Sequence, residues 1–249
     1  MGQRRAQLLP LQLPGQSWWL LFASELVFSA AFAIGTLAKI YGSPGPDDIW
    51  MKAIVAAPTT AQTRLAALFD GLFSLPGQAI VVLVAVLFVA LIMRSPLRSL
   101  AFGSMVWVGW LSSQIGQDMI HRPRPPALPT VVVSPDVMDS FPSGHTAMAT
   151  ALVWAGVLVL ARTPAQRLIT GLVGTALVLA VAYSRLYLSM NHPSDIIGAL
   201  LMSTAGMFFW LAVWNKLIEP ALRRSSLLTR AGRKVRVATG PTLRAAPED

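Results

Sequence analysis

The chain has no cysteine among its 249 residues, which removes disulfides, thiol nucleophiles and Cys-ligated metal sites from the possible explanations of its fold or chemistry. Charged residues are scarce as well, at 12%, about half the share of an ordinary soluble domain. That composition argues against a water-soluble fold. Acidic residues are the rarer sign, 11 against 20 Lys and Arg. No aromatic-interleaved basic face or recognisable nucleic-acid module accompanies the surplus, so the charge is read as membrane topology and no nucleic-acid partner is expected. What is abundant is apolar: 54% of residues, with a mean hydropathy of +0.58, which excludes a disordered chain.

Apolar runs of spanning length fall at roughly 17–40, 66–93, 98–118, 144–161, 167–187 and 195–217. They predict an all-α polytopic membrane protein, a bundle of six transmembrane helices. Pro76-Gly77 interrupts the second run, predicting a short interfacial helix and then a span from about Gln78. The first run is too long for a signal peptide and lacks a small-residue cleavage site, so it is expected to stay as the first span. Six spans place both termini on one side. Assigning the termini and the 94–98 and 162–167 turns to the cytoplasm puts 14 of the 20 basic residues there, which fixes the orientation by the positive-inside rule. The expected organisation is a cytoplasmic segment 1–16, a six-span domain 17–218 and a basic cytoplasmic tail 219–249.

The three histidines, His121, His145 and His192, all fall beside the outer polar segments at the mouths of spans. In Phe141-Pro142-Ser143-Gly144-His145, proline stops the preceding chain and Ser143 is a good N-cap, so a helix should start at Gly144 with its unpaired N–H groups directed outward. Such a terminus attracts anions. Arg122 and Arg124 in His-Arg-Pro-Arg-Pro offer planar guanidinium forks suited to phosphate oxygens. Arg185 closes the fifth span and Asp195 opens the sixth behind Pro193. Ionisable groups at that depth are costly unless paired or functional. Together these segments describe an electropositive pocket with an acid/base inventory and no metal cage. Glu25 and Asp70 also lie near apolar segments, and both are read as interfacial residues without a role. The tryptophans read as interfacial belts.

The three segments resemble the signature of the type-2 phosphatidic acid phosphatase superfamily: Lys, six residues, Arg-Pro; then Pro-Ser-Gly-His; then Ser-Arg, five residues, His, three residues, Asp. Arg124-Pro125, Pro142 to His145, and Ser184, Arg185 and Asp195 match. Two positions differ. Gln117 stands at the lysine position seven before Arg124, and Asn191 stands at the nucleophilic histidine position six after Arg185. Because Arg185 and Asp195 keep the family's separation of ten, these are substitutions and not a slipped gap. His192 is next door.

The resemblance implies a phosphohistidine mechanism without cofactor or metal. His145 would protonate the leaving oxygen, and Asp195 would orient the nucleophile, a role an amide such as Asn191 cannot fill and His192 would have to assume. The phosphate oxygens would be held by Arg122, Arg124, Ser143, Gly144 and Arg185, with Gln117 in the lysine's place. The expected function is hydrolysis of a lipid phosphate or diphosphate at the extracytoplasmic face of the cell membrane. The alternative is a non-catalytic relative that binds a phosphorylated lipid or organises a membrane partner.

Overall fold

The computed structural model describes residues 18–42, 45–55, 59–126 and 139–224, and within them every regular element is a helix, without a strand. The expected segment 1–16 and most of the tail 219–249 lie outside these residues. The helices are α1 (Trp19–Tyr41), α2 (Pro46–Val55), α3 (Thr60–Phe73), α4 (Leu75–Met93), α5 (Pro96–Ile120), α6 (Gly144–Ala155, extended by a π-helical turn Gly156–Leu160), α7 (Pro164–Tyr187), α8 (Pro193–Val213, followed by a π-helical turn Trp214–Ile218) and α9 (Glu219–Arg224).

Local sequence sets most of the helix starts. Ser95, Ser143 and Thr163 cap α5, α6 and α7 by accepting from the backbone N–H three residues on, and Pro96, Pro164 and Pro193 occupy first helical positions that need no donor. The second apolar run divides one turn earlier than Pro76-Gly77 suggests. Ser74 accepts from Gly77 N at 3.4 Å and caps α4, so Pro76 and Gly77 lie inside the first turn, where proline is tolerated. The span therefore begins at Leu75 and not Gln78. Two further helices, α2 and α3, lie between α1 and α4.

Among the described residues, four helical stretches are long and apolar enough to cross a membrane: Trp19–Tyr41, Leu75–Met93, Pro164–Tyr187 and Pro193–Leu222. The helix Gly144–Leu160 is apolar but shorter, and α5 carries Ser99, Ser104, Ser112, Ser113, Gln114, Gln117 and Asp118 along its 25 residues. The composition criterion thus supports four of the six expected spans. Large side chains such as Leu83, Leu87, Phe88 and Leu91 on α4 are exposed, as a helix apolar all round requires when lipid is its solvent.

The centre of the bundle is α5, α6 and α8, with α1 and α7 packed outside. Small residues let these backbones approach: Ala147, Ala149, Ala151 and Ala155 on α6, and Ala199, Ala205 and Gly206 on α8, are all buried. Hydroxyls tie the helices across the contacts. Ser24 Oγ donates to Ala205 O at 2.8 Å, Ser112 Oγ to Met202 O at 2.8 Å and Ser203 Oγ to Ala147 O at 3.1 Å.

One wedge locks the turn before α6. The ring of Phe141, fully buried, presses against Gly35 of α1 and Gly198 of α8, and a Cβ at either glycine would lie well inside van der Waals contact of that ring. Gly198→Val is accordingly expected to destabilise the protein by about 1–3 kcal/mol through overpacking. The thermal midpoint in detergent measures it, and Phe141→Leu in the same chain should recover part of the loss if the two positions are coupled.

Candidate active site

The site gathers at one end of the bundle, where α5 ends, α6 begins, α7 ends and α8 begins. α5 stops at His121, which adopts a left-handed conformation (φ 49°), while Lys39 Nζ of α1 donates to Ile120 O at 2.5 Å and caps the terminal carbonyls. His121 itself turns outward, its exposed ring 2.9 Å from Asp139 Oδ1. Beyond it the chain is pinned back: Arg122 O accepts from Asp139 N at 3.1 Å and from Ser140 N at 2.8 Å.

Arg122 points inward and is 2% exposed. Its Nη1 donates to Asp195 Oδ1 and to Ser194 Oγ, each at 2.6 Å, and its Nη2 donates to Asp47 Oδ2 at 2.7 Å. Asp47 also accepts from Ser194 N at 3.1 Å and Ser194 Oγ at 2.6 Å. Burial pushes the Asp47 carboxyl up, but the hydrogen bonds from Ser194 and Arg122 outweigh it and hold the group below the usual carboxylate range. Both terminal nitrogens of Arg122, a residue expected to hold phosphate, serve in this geometry two carboxylates that flank the start of α8.

Asp195 is fully buried. Its Oδ2 accepts from the His192 backbone N at 2.6 Å and lies 3.3 Å from His192 Nδ1, while its carbonyl accepts from Ser143 N at 3.2 Å. One residue thereby fixes the His192 ring, the cap of α8 and the entry to α6. His192 is 3% exposed.

At α6, Ser143 Oγ accepts from Thr146 N at 3.4 Å and from Thr146 Oγ1 at 3.1 Å. Gln117 Nε2 donates to Pro142 O at 2.9 Å, so the residue at the lysine position holds the turn leading into the helix. A Cβ on Gly144 would stand 3.6 Å from Gln117 Nε2, which places that glycine against the same amide.

Arg185, in the last turn of α7, is 4% exposed. Its Nε donates to Asn191 Oδ1 at 3.0 Å, and Asn191 Nδ2 donates to Ser140 O at 2.5 Å. Both ends of the asparagine amide therefore hold the framework. Arg185 Nη1 donates to Asp70 Oδ1 of α3 and lies 3.4 Å from His145 Nε2, which is itself 3.4 Å from Asp70 Oδ1. The contact from His145 and the charges of Arg185 and Arg124 outweigh burial and keep the Asp70 carboxyl below its usual range. Arg124 completes the group: its Nη1 donates to the thioether of Met190 at 3.2 Å, and its buried Nε has no hydrogen-bond partner among the described residues. Burial lowers its pKa, partly offset by Asp70, Asp139 and Asp195.

The structure thus brings His145, Arg185 and Asn191 together, joins His192 and Asp195 to Arg122, and sets Gln117 and Ser143 at the turn between them. Sequence reasoning missed Asp47 and Asp70. Asp70 carried a usable signal, a lone acid in an apolar stretch. Asp47, ordinary in the first turn of a surface helix, carried none.

Fold and cluster define an all-helical integral membrane protein with converging arginines, histidines and carboxylates at one end of its bundle. A family model described as the PAP2 superfamily matches residues 18–219, and the chain belongs to that superfamily. The fold resembles the first transmembrane PAP2 type phosphatidylglycerolphosphate phosphatase from Bacillus subtilis, with a TM-score of 0.62 at 18% identity, over 83% of this chain and 98% of that one. No curated protein matches the sequence.

Proposed function

We propose that this protein is an integral membrane phosphatase hydrolysing a lipid phosphate or diphosphate of the phosphatidic acid, phosphatidylglycerol phosphate or polyprenyl diphosphate class. The observation that carries the reading is Arg124: a half-buried arginine whose buried Nε has no partner among the described residues, beside Arg185, His145 and the capped start of α6. Buried donors are almost always satisfied, and a phosphate oxygen satisfies this one. Arg124, Arg185 and the amides at Gly144 hold the phosphoryl oxygens. Arg122 acts at one remove, fixing Asp195. Asp195 against His192 Nδ1 leaves Nε2 as the attacking atom. The Nε2–P bond forms as the P–O bond to the lipid breaks, and His145 delivers the proton to the departing oxygen. Water then cleaves Nε2–P, releasing phosphate and returning a proton to His145.

The charge distribution supports cytoplasmic termini in the cell membrane and a site on the extracytoplasmic face. One observation favours a second reading, a non-catalytic phospholipid-binding relative: the family's nucleophile position is Asn191, both ends of which are hydrogen-bonded to the framework. The deciding experiment is phosphate release by purified protein from a panel of lipid phosphates and diphosphates, with and without EDTA. Because guanidiniums supply the positive charge, turnover on at least one substrate, unchanged by the chelator, is expected. A silent panel defeats the enzymatic reading, and a strict metal requirement defeats the mechanism.

A further inference from the structure

Asp70 belongs to none of the three motif segments, yet it lies where residues of two of them meet. It projects from α3, which is not among the spanning helices, and one of its oxygens contacts both Arg185 Nη1 from α7 and His145 Nε2 from α6. Its side chain is 35% exposed, against 4% for Arg185, so the carboxylate stands on the open side of the pair. The proposed reading directs the same two groups at a phosphate, Arg185 at a phosphoryl oxygen and His145 at the departing one. Carboxylate and phosphate cannot both be there at once, since like charges at contact distance repel strongly in a partly desolvated site. A buried guanidinium without any counter-charge is costly, and Arg124 nearby makes it more so.

We infer that Asp70 is the internal counter-anion of the site: its carboxylate holds Arg185 and His145 in their working arrangement and is displaced when a phosphate enters. The inference rests on the reading of this cluster as a phosphate pocket. It follows that the apparent affinity for phosphate is reduced by the fraction of molecules in which Asp70 holds the seat. A residue that merely braced Arg185 would act the other way, and its removal would weaken anion binding.

The test uses the full chain in detergent micelles, with orthovanadate as the probe. Parent, Asp70→Asn and Asp70→Ala are titrated by calorimetry, and their thermal midpoints are measured with and without saturating vanadate. Both variants should bind vanadate about tenfold more tightly than the parent or better, as expected when a competing hydrogen bond between charged groups is removed. They should also melt lower without vanadate and recover with it. In the parent, vanadate should raise hydrogen exchange in residues 66–73 as α3 loses its anchor. Unchanged or weaker vanadate binding by the variants, or α3 amides equally or better protected in the liganded parent, overturns the role of Asp70 and leaves the pocket standing. No vanadate binding by parent or variants removes the pocket, and this inference with it.

Discussion

Replacing Arg122 with methionine is expected to destabilise the protein by about 3–5 kcal/mol, the largest stability loss of any single change considered for this chain. The side chain volume is nearly kept, so the effect is electrostatic. Arg122 is 2% exposed and bridges Asp47 and Asp195, the latter fully buried. Without it two carboxylates face each other across Ser194 with no counter-charge. Lysine is no substitute, because a single ammonium cannot donate from two separated nitrogens to two acids and a hydroxyl. Thermal or denaturant unfolding in detergent measures the loss, and His121→Ala, at an exposed ring, should stay within about 0.5 kcal/mol of the parent. The folded-state pKa of Asp47 is depressed, so its contribution is fully present above the ordinary carboxyl value of about 4 and is lost as pH falls through the lower folded value. An Arg122→Met protein as stable as the parent would mean that these contacts hold nothing together.

The largest effect on activity is expected from His192→Ala, which should abolish turnover. It is the histidine in contact with Asp195, and the covalent route needs one there. His145→Ala removes the proposed proton donor and should slow turnover on the order of a hundredfold or more. Neither variant should lose anion binding, because Arg124 and Arg185 remain. Asn191→His separates the two readings of the family position. It also replaces an amide that accepts from Arg185 Nε and donates to Ser140 O, so in an active parent it should lower turnover by loosening Arg185. An inactive parent that gains hydrolysis with Asn191→His would show that Asn191 marks a lost nucleophile and that His192 never replaced it.

The secondary structure was legible because its determinants are local. Pro142 stops one segment and Ser143 caps the next, which is why α6 starts at Gly144, and α8 starts at Pro193 because a first helical position needs no donor. The same locality explains the misplaced break near Pro76: proline is admissible in a first turn, and the Ser74 cap decided which turn that was. The motif segments were legible through their histidines and arginines at the mouths of helices and through the family resemblance, and helix ends on one side of a bundle converge.

Roles within the cluster depended on contacts between residues far apart in the chain. Arg122 and Arg124 carry the same side chain two positions apart, and the sequence assigns them the same chemistry. Asp47 lies 75 residues from Arg122, and Asp70 lies 115 from Arg185. Only the packing of α2 against α8 and of α3 against α6 and α7 brings those carboxylates to one guanidinium each, leaving the Nε of Arg124 without a partner among the described residues. Composition and helix ends follow from neighbours along the chain, so the sequence by itself determined that this is a helical membrane protein with arginines, histidines and an aspartate at the mouths of its helices. Which cations are neutralised and which keep a donor for a ligand is set by charge pairing through space at Å range, and that was decided by the tertiary structure alone.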